Sequence, residues 1–272
     1  MLSLLALGSS LAWGTSDFLA GLASRRRHPV AVVGWTQGLA LVVLTVLVLR
    51  WPGEGLGWLP WAVGAGLSGL AGLVCFYTAL ATGTMGVVAP IAGLGVVVPV
   101  VLGVLGGERP SALAWGGMVL AVAGVSLASG PELAAGLSVR PVALAAGAAL
   151  GFGLTLYLID RGARESTLMT LWGMRVTSVA VLALLSLVLR TAGGVGAREV
   201  PGLFVIGAGD LGANALFALA SSRGQVSLAS VLGSLYPVVT VLLARAVLQE
   251  RLRRVQQAGV ALAAVGAVLV AA

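Results

Sequence analysis

Asp17, Arg175 and Asp210 lie inside long apolar stretches of this chain, where an ionisable side chain costs roughly a few kcal/mol or more if it meets lipid. Such residues are therefore the first suspects for function. Helical steps of three and four put Ser10, Trp13 and Asp17 on one face. The same steps group Asp210 and Asn214 with Phe217, and Arg175 with Trp172 and Ser178. Gln37 and Tyr236, the latter beside Pro237, add further polar atoms at mid-segment. Brought together, Trp13, Asp17, Gln37, Trp172, Arg175, Asp210, Asn214 and Tyr236 would suit a zwitterion. The acids meet an ammonium, Arg175 meets a carboxylate, and the rings meet an apolar or cationic body. Asp17 or Asp210 could also carry a proton, because burial favours the neutral carboxyl. Lysine is absent and His28 sits beside Arg27 in a loop, so any side-chain proton carrier is acidic. A plainer alternative is that one aspartate neutralises Arg175 and locks two helices.

These side chains must be positioned by membrane helices. Hydrophobic residues make up 59% of the 272 positions and charged residues 9%, too little polar surface for a soluble domain. The apolar runs are longer than barrel strands and lack their alternation, which leaves helices as the way to satisfy the backbone in lipid. The net charge of +7 is carried by arginine alone, mostly in short loops. That placement points to headgroups and the positive-inside rule rather than nucleic acid. Trp51, Trp58 and Trp61 fit an interfacial belt. Cys75, the single cysteine, reads as a buried inert thiol. The first apolar run has no basic leader and aligns with an internal segment, so it reads as a span rather than a signal peptide.

Cutting at charges, prolines and glycine pairs predicts an all-α membrane protein of ten spans: Leu2–Ala23, Val30–Leu49, Trp58–Thr82, Val87–Gly106, Ser111–Ser129, Val142–Ile159, Leu168–Leu189, Pro201–Ser222, Val226–Leu248 and Val255–Ala272. Residues 1–129 form one half, 130–141 the joint and 142–272 the other half. With five spans each, the second half must enter the membrane with opposite orientation. Nine loop arginines against five place the odd-numbered loops in the cytoplasm and both termini outside it.

The halves repeat in sequence. Glu108-Arg109, Gly117 and Gly124 recur as Glu250-Arg251, Gly259 and Gly266, each 142 positions later (250−108). Gly8, Leu11, Trp13, Gly14 and Arg25 align with Gly147, Leu150, Phe152, Gly153 and Arg164 at an offset of 139 (153−14). The run from Pro237 to Glu250-Arg251-Leu252, the opening AWGTSDFLAGLASRR and FYTALA at 76–81 resemble the EamA domain of the drug/metabolite transporter superfamily. This resemblance implies two inverted five-helix EamA repeats, alternating access through a central cavity, and transport of amino acids, other metabolites or drugs, often outward. Residue 95 is glycine where the second copy's pattern has Pro237, so the fourth span is expected to bend at a different level from the ninth.

Pro90, Pro99 and Pro237 fall inside predicted helices and mark hinges, with Gly93, Gly95 and Gly233 beside them. Gly34/Gly38, Gly103/Gly107 and Gly147/Gly151 have the spacing for close helix contact. Asp160 with Arg161 reads as an interfacial ion pair, Arg245 as a snorkelling cation, and Glu108 and Glu250 as capping or packing residues. The expected protein is a secondary carrier in the plasma membrane, without cofactor or metal, exporting zwitterions. Its expected partners are lipid, the small-molecule substrate and protons; no nucleic acid or obligate protein partner is expected. Efflux of cationic drugs is the second reading. Gly207-Ala208-Gly209-Asp210 also resembles the GxGD element of intramembrane aspartyl proteases. That chemistry needs a second aspartate sharing a proton, and the preceding span has none.

Overall fold

The computed structural model describes residues 1–83, 85–133, 139–189, 194–249 and 254–271, and is helical throughout them apart from short connections. In chain order the helices are α1 (Leu2–Arg26), α2 (Pro29–Arg50), α3 (Leu59–Thr82), α4 (Met85–Gly93), α5 (Val97–Leu105), α6 (Ala112–Leu133), α7 (Val139–Leu189), α8 (Val200–Ser221), α9 (Val226–Gly233), α10 (Tyr236–Leu248) and α11 (Arg254–Ala271). Five apolar segments among the described residues are long enough to cross a membrane: Pro29–Arg50, Leu59–Thr82, Val139–Leu187, Ala197–Ser221 and Val226–Leu248.

Proline and serine set several starts. Pro29, Pro60, Pro201 and Pro237 lie in the first two positions of their helices, where a missing N–H leaves no bond unmade. Ser111 caps α6, its Oγ accepting from Ala114 N at 3.1 Å. Helix α1 runs three residues further than expected, to Arg26; cations in a last turn oppose the negative end of the helix.

The expected loop after Ile159 is itself helical. α7 continues to Leu189 with one break at Ser166, where φ is −161° and ψ 111°. Asp160 pairs with Arg164 one turn on, at 3.1 Å, and not with Arg161, which donates to Tyr157 Oη at 3.0 Å. Four-residue spacing favours the first partner and adjacency disfavours the second. Around the joint between halves, α6 reaches Leu133 and α7 starts at Val139.

The fourth and ninth predicted spans break at matching levels. α4 ends at Gly93 and a 3₁₀ turn over Leu94–Val96 leads into α5. α9 ends at Gly233 and α10 begins at Tyr236. The ends are 140 apart (233−93) and the restarts 139 (236−97), so the missing proline does not shift the bend. Gly95 substitutes by close approach: a Cβ there would collide with the backbone of Ala149.

The two halves share further contacts. A Cβ on Gly14 would strike Tyr236 O and Val239; one on Gly153 would strike Gly95 O and Val98. Gly66 is pressed against Met174 O, and Gly207 against Thr36 O. These partners lie 138–141 apart (174−36, 207−66, 239−98), so the register of the repeat extends into packing. α3 packs along α7, α1 along α8 and α10, and α6 along α11. Trp58, placed in the interfacial belt by sequence, is 4% exposed and stands edge-on to Trp172. The prediction for Glu250, and with it the Glu250-Arg251-Leu252 run, lies outside the described residues.

Candidate functional site

Trp13 and Asp17 from α1, Arg175 from α7, Asp210 and Asn214 from α8, and Tyr236 from α10 line one cavity of roughly 630 Å³, its mouth included. α1 and α8 are fixed beside the cavity by close approaches at glycines one turn from Asp17 and Asp210. Gly14 meets α10, and Gly207 meets α2.

Arg175 is 3% exposed and lies at the centre of the polar contacts. Its Nη2 donates to Asp210 Oδ2 at 2.5 Å and its Nη1 to Gln37 Oε1 at 2.7 Å. Its Nε is buried with no partner among the described residues. Asp210 Oδ1 accepts from Trp13 Nε1 at 3.2 Å and from Asn214 Nδ2 at 3.1 Å. Both carboxylate oxygens of Asp210 are therefore engaged, and its charge is matched by Arg175. This is the condition under which a buried ion pair is tolerated.

Asp17 is different. It is 6% exposed and forms no ion pair or side-chain hydrogen bond with the described residues. The Tyr236 hydroxyl, also on the cavity, is buried without a partner there. Asp17, Tyr236 and Arg175 thus line a common space, and each carries a polar group without a partner among the described residues. Trp13 lies 5.8 Å from Phe217, and Phe76 stands edge-on to both Phe152 and Tyr236.

Two expected residues do not line the cavity. Gln37 is 2% exposed and sits behind Arg175. Trp172 donates to Thr45 Oγ1 at 3.2 Å and stacks edge-on with Trp58, so it joins α7 to α2. Among the hinge prolines, Pro237 sits in the second position of α10, Pro99 follows the 3₁₀ turn, and Pro90 lies within α4.

The lining also includes Phe152, Thr155, Leu156, Met174, Ser178 and Ser234. The offset of 139 already paired Phe152 with Trp13, and carried on it pairs Thr155 with Ser16 and Leu156 with Asp17. A cavity-facing Trp13 therefore implies a cavity-facing Phe152. The contact register likewise pairs Gln37 with Arg175 (offset 138), Gly69 with Asp210 (141) and Leu73 with Asn214 (141). In each of these pairs one member carries the charge or the amide and the other is less polar. Repeat mates Gln37 and Arg175 bond to each other directly.

At the other end of α5, the Glu108 carboxylate accepts from Val226 N at 2.6 Å, Ser227 N at 3.1 Å and Ser227 Oγ at 2.6 Å. Of the two roles expected for Glu108, capping or packing, the structure shows capping, at the start of α9. Arg245 is exposed.

No curated protein matches the chain. A solved crystal structure, described only as "Crystal structure of protein", is similar in fold, with a TM-score of 0.79 at 22% identity over 99% of this chain and 98% of that one. The profile of the EamA-like transporter family matches residues 1–130 and again 139–272. The cavity thus lies within a two-repeat integral membrane transporter whose partners are small molecules and lipid: the chain belongs to the EamA-like transporter family.

Proposed function

We propose that this transporter is a secondary carrier with ten spans in two inverted five-helix halves, 1–129 and 142–272, joined through 130–141, in the plasma membrane. It exports amino-acid-like zwitterions by alternating access. The observation that carries this reading is the cavity's unequal pair of aspartates: Asp210 is held by Arg175, Trp13 and Asn214, whereas Asp17 has no partner among the described residues. An ammonium group meets Asp17, a carboxylate accepts from the free Arg175 N–H, and the apolar body lies against Trp13, Phe152 and Tyr236.

Without cargo, Asp17 carries the coupled proton, being the cavity acid with no partner among the described residues. Asp210 is the weaker candidate for that role, being committed to Arg175. Rocking of one half against the other uses the matched breaks at 94–96 and 234–235, beside Pro99 and Pro237. The residues of the GxGD run support packing rather than proteolysis: Gly207 meets α2, and Asp210 is fully engaged.

One observation favours the second reading, efflux of organic cations. With both Nη groups of Arg175 engaged, the cavity holds one uncompensated carboxyl. A thermal-shift screen of the purified protein with amino acids against quaternary amines separates the two. Stabilisation by amino acids, lost in Asp17→Asn, is the expected result. Stabilisation by quaternary amines alone would replace the cargo, and stabilisation by neither class in wild type would contradict the site.

A further inference from the structure

α9 carries Ser227 and Ser230 on one face, and Ser234 follows four residues on as the cap at its C-terminal end. All are buried: Ser227 and Ser230 are 0% exposed and Ser234 7%. At one end Ser234 lines the cavity that holds Asp17. At the other, Ser227 Oγ donates to Glu108 at 2.6 Å, and Glu108 is part-exposed. Between them, Ser230 Oγ has no partner among the described residues. A buried hydroxyl without a partner is destabilising, so this one needs a reason.

Packing does not supply it. At the offset of 140 that matches the ends of α4 and α9 the corresponding positions are Val87, Pro90 and Leu94, and at the contact offset of 141 they are Gly86, Ala89 and Gly93; none has a hydroxyl. Ala89 is as fully buried as Ser230, so an equivalent position is filled by a methyl group. The hydroxyls occur in one half only, and they run from the cavity towards one end of the bundle. We propose that Ser234, Ser230, Ser227 and Glu108 form the route by which protons pass between the cavity and that membrane face.

Side chains one turn apart have Cβ atoms about 5–6 Å apart, a gap that one water bridges with two ordinary hydrogen bonds. Each hydroxyl accepts one proton and gives up another, so the line is restored after each passage and charge is conserved. A proton taken up at Glu108 is matched by one delivered from Ser234 to Asp17. Gly103 leaves the room Glu108 occupies, since a Cβ there would strike its carboxylate. The charged and titratable groups flanking the route are Asp160, Arg161 and Arg109 near Glu108, and Asp17, Asp210, Arg175 and Tyr236 at the cavity. This inference rests on the proposal that Asp17 binds a proton.

The test is a rapid pH jump on the full protein in lipid nanodiscs, following the carboxyl C=O band of Asp17 by time-resolved infrared spectroscopy, with Asp17→Asn assigning the band. Ser230→Ala is expected to slow protonation about tenfold, equivalent to ~1.4 kcal/mol on the barrier, with the final band unchanged. Ser230→Thr restores the rate, and Ala89→Ser leaves it unaltered. Ser234→Ala gives the same slowing by an independent change. Wild-type rates in both alanine variants would overturn the route alone. A wild-type protein showing no Asp17 band would overturn the proton role of Asp17 and the route together.

Discussion

Asp17 and Asp210 face one cavity, yet their surroundings ask opposite things of them. Removing the charge of Asp210 leaves the Arg175 guanidinium buried without its counter-ion, a change that costs about 3–5 kcal/mol. Asp210→Asn should therefore lower the melting temperature in detergent, and adding Arg175→Gln should recover much of the loss. Asp17→Asn removes a carboxyl that has no partner among the described residues, and should leave the melting temperature unchanged or raise it while abolishing cargo binding. Equal destabilisation by both single variants would show that Asp17 is a structural residue. The sequence identified both aspartates and Arg175 because charges in apolar runs are conspicuous. It did not reveal which acid the arginine holds, because that depends on how α7, α8 and α2 meet in space. Gln37 and Trp172 were expected at the cavity on polarity and face alone. The structure uses them to brace Arg175 and α2.

The helices are placed by glycines whose spacing was visible and whose neighbours were not. Gly153 lies where a Cβ would overlap Gly95 O and Val98, whereas nothing lies within 4 Å of a Cβ on Gly34 or Gly38. Gly153→Ala should then disrupt folding or cost about 1–3 kcal/mol of overpacking. Gly34→Ala should be neutral or gain up to about 1 kcal/mol of helix propensity. Melting curves of the two variants check this, and a harmless Gly153→Ala would remove the close α5–α7 approach from the account. GxxxG spacing marked Gly34/Gly38 and Gly147/Gly151 equally, but only the second pair meets another helix closely, with Gly151 against Gly72 and Ser68 O. Helix starts were legible from proline and serine. The helical passage through 160–165 was not, because arginines and a glycine there looked like a loop. The level of the α4–α5 break was misread for a related reason: a proline was taken as the cause of the bend, and close backbone packing at Gly95 achieves it without one.

Across the whole molecule, two copies of one helical unit meet with Gln37 and Arg175 as bonded mates, while the cavity's charges fall on one member of each pair. An inverted arrangement explains how identical folds can face opposite sides of a membrane and still enclose one site. Sequence divergence at Asp17/Leu156 and Gly69/Asp210 makes the two halves of that site unlike. The claim on which this depends is the opposite orientation of the halves. Arg25 and Arg164, mates at an offset of 139, lie at the end of α1 and near the break of α7. In a Cys75→Ala background, single cysteines at these two positions can be tested in sealed, oriented vesicles with a membrane-impermeant thiol reagent. The account predicts that one is labelled from outside and the other only after the vesicles are opened; labelling of both from the same side would contradict it.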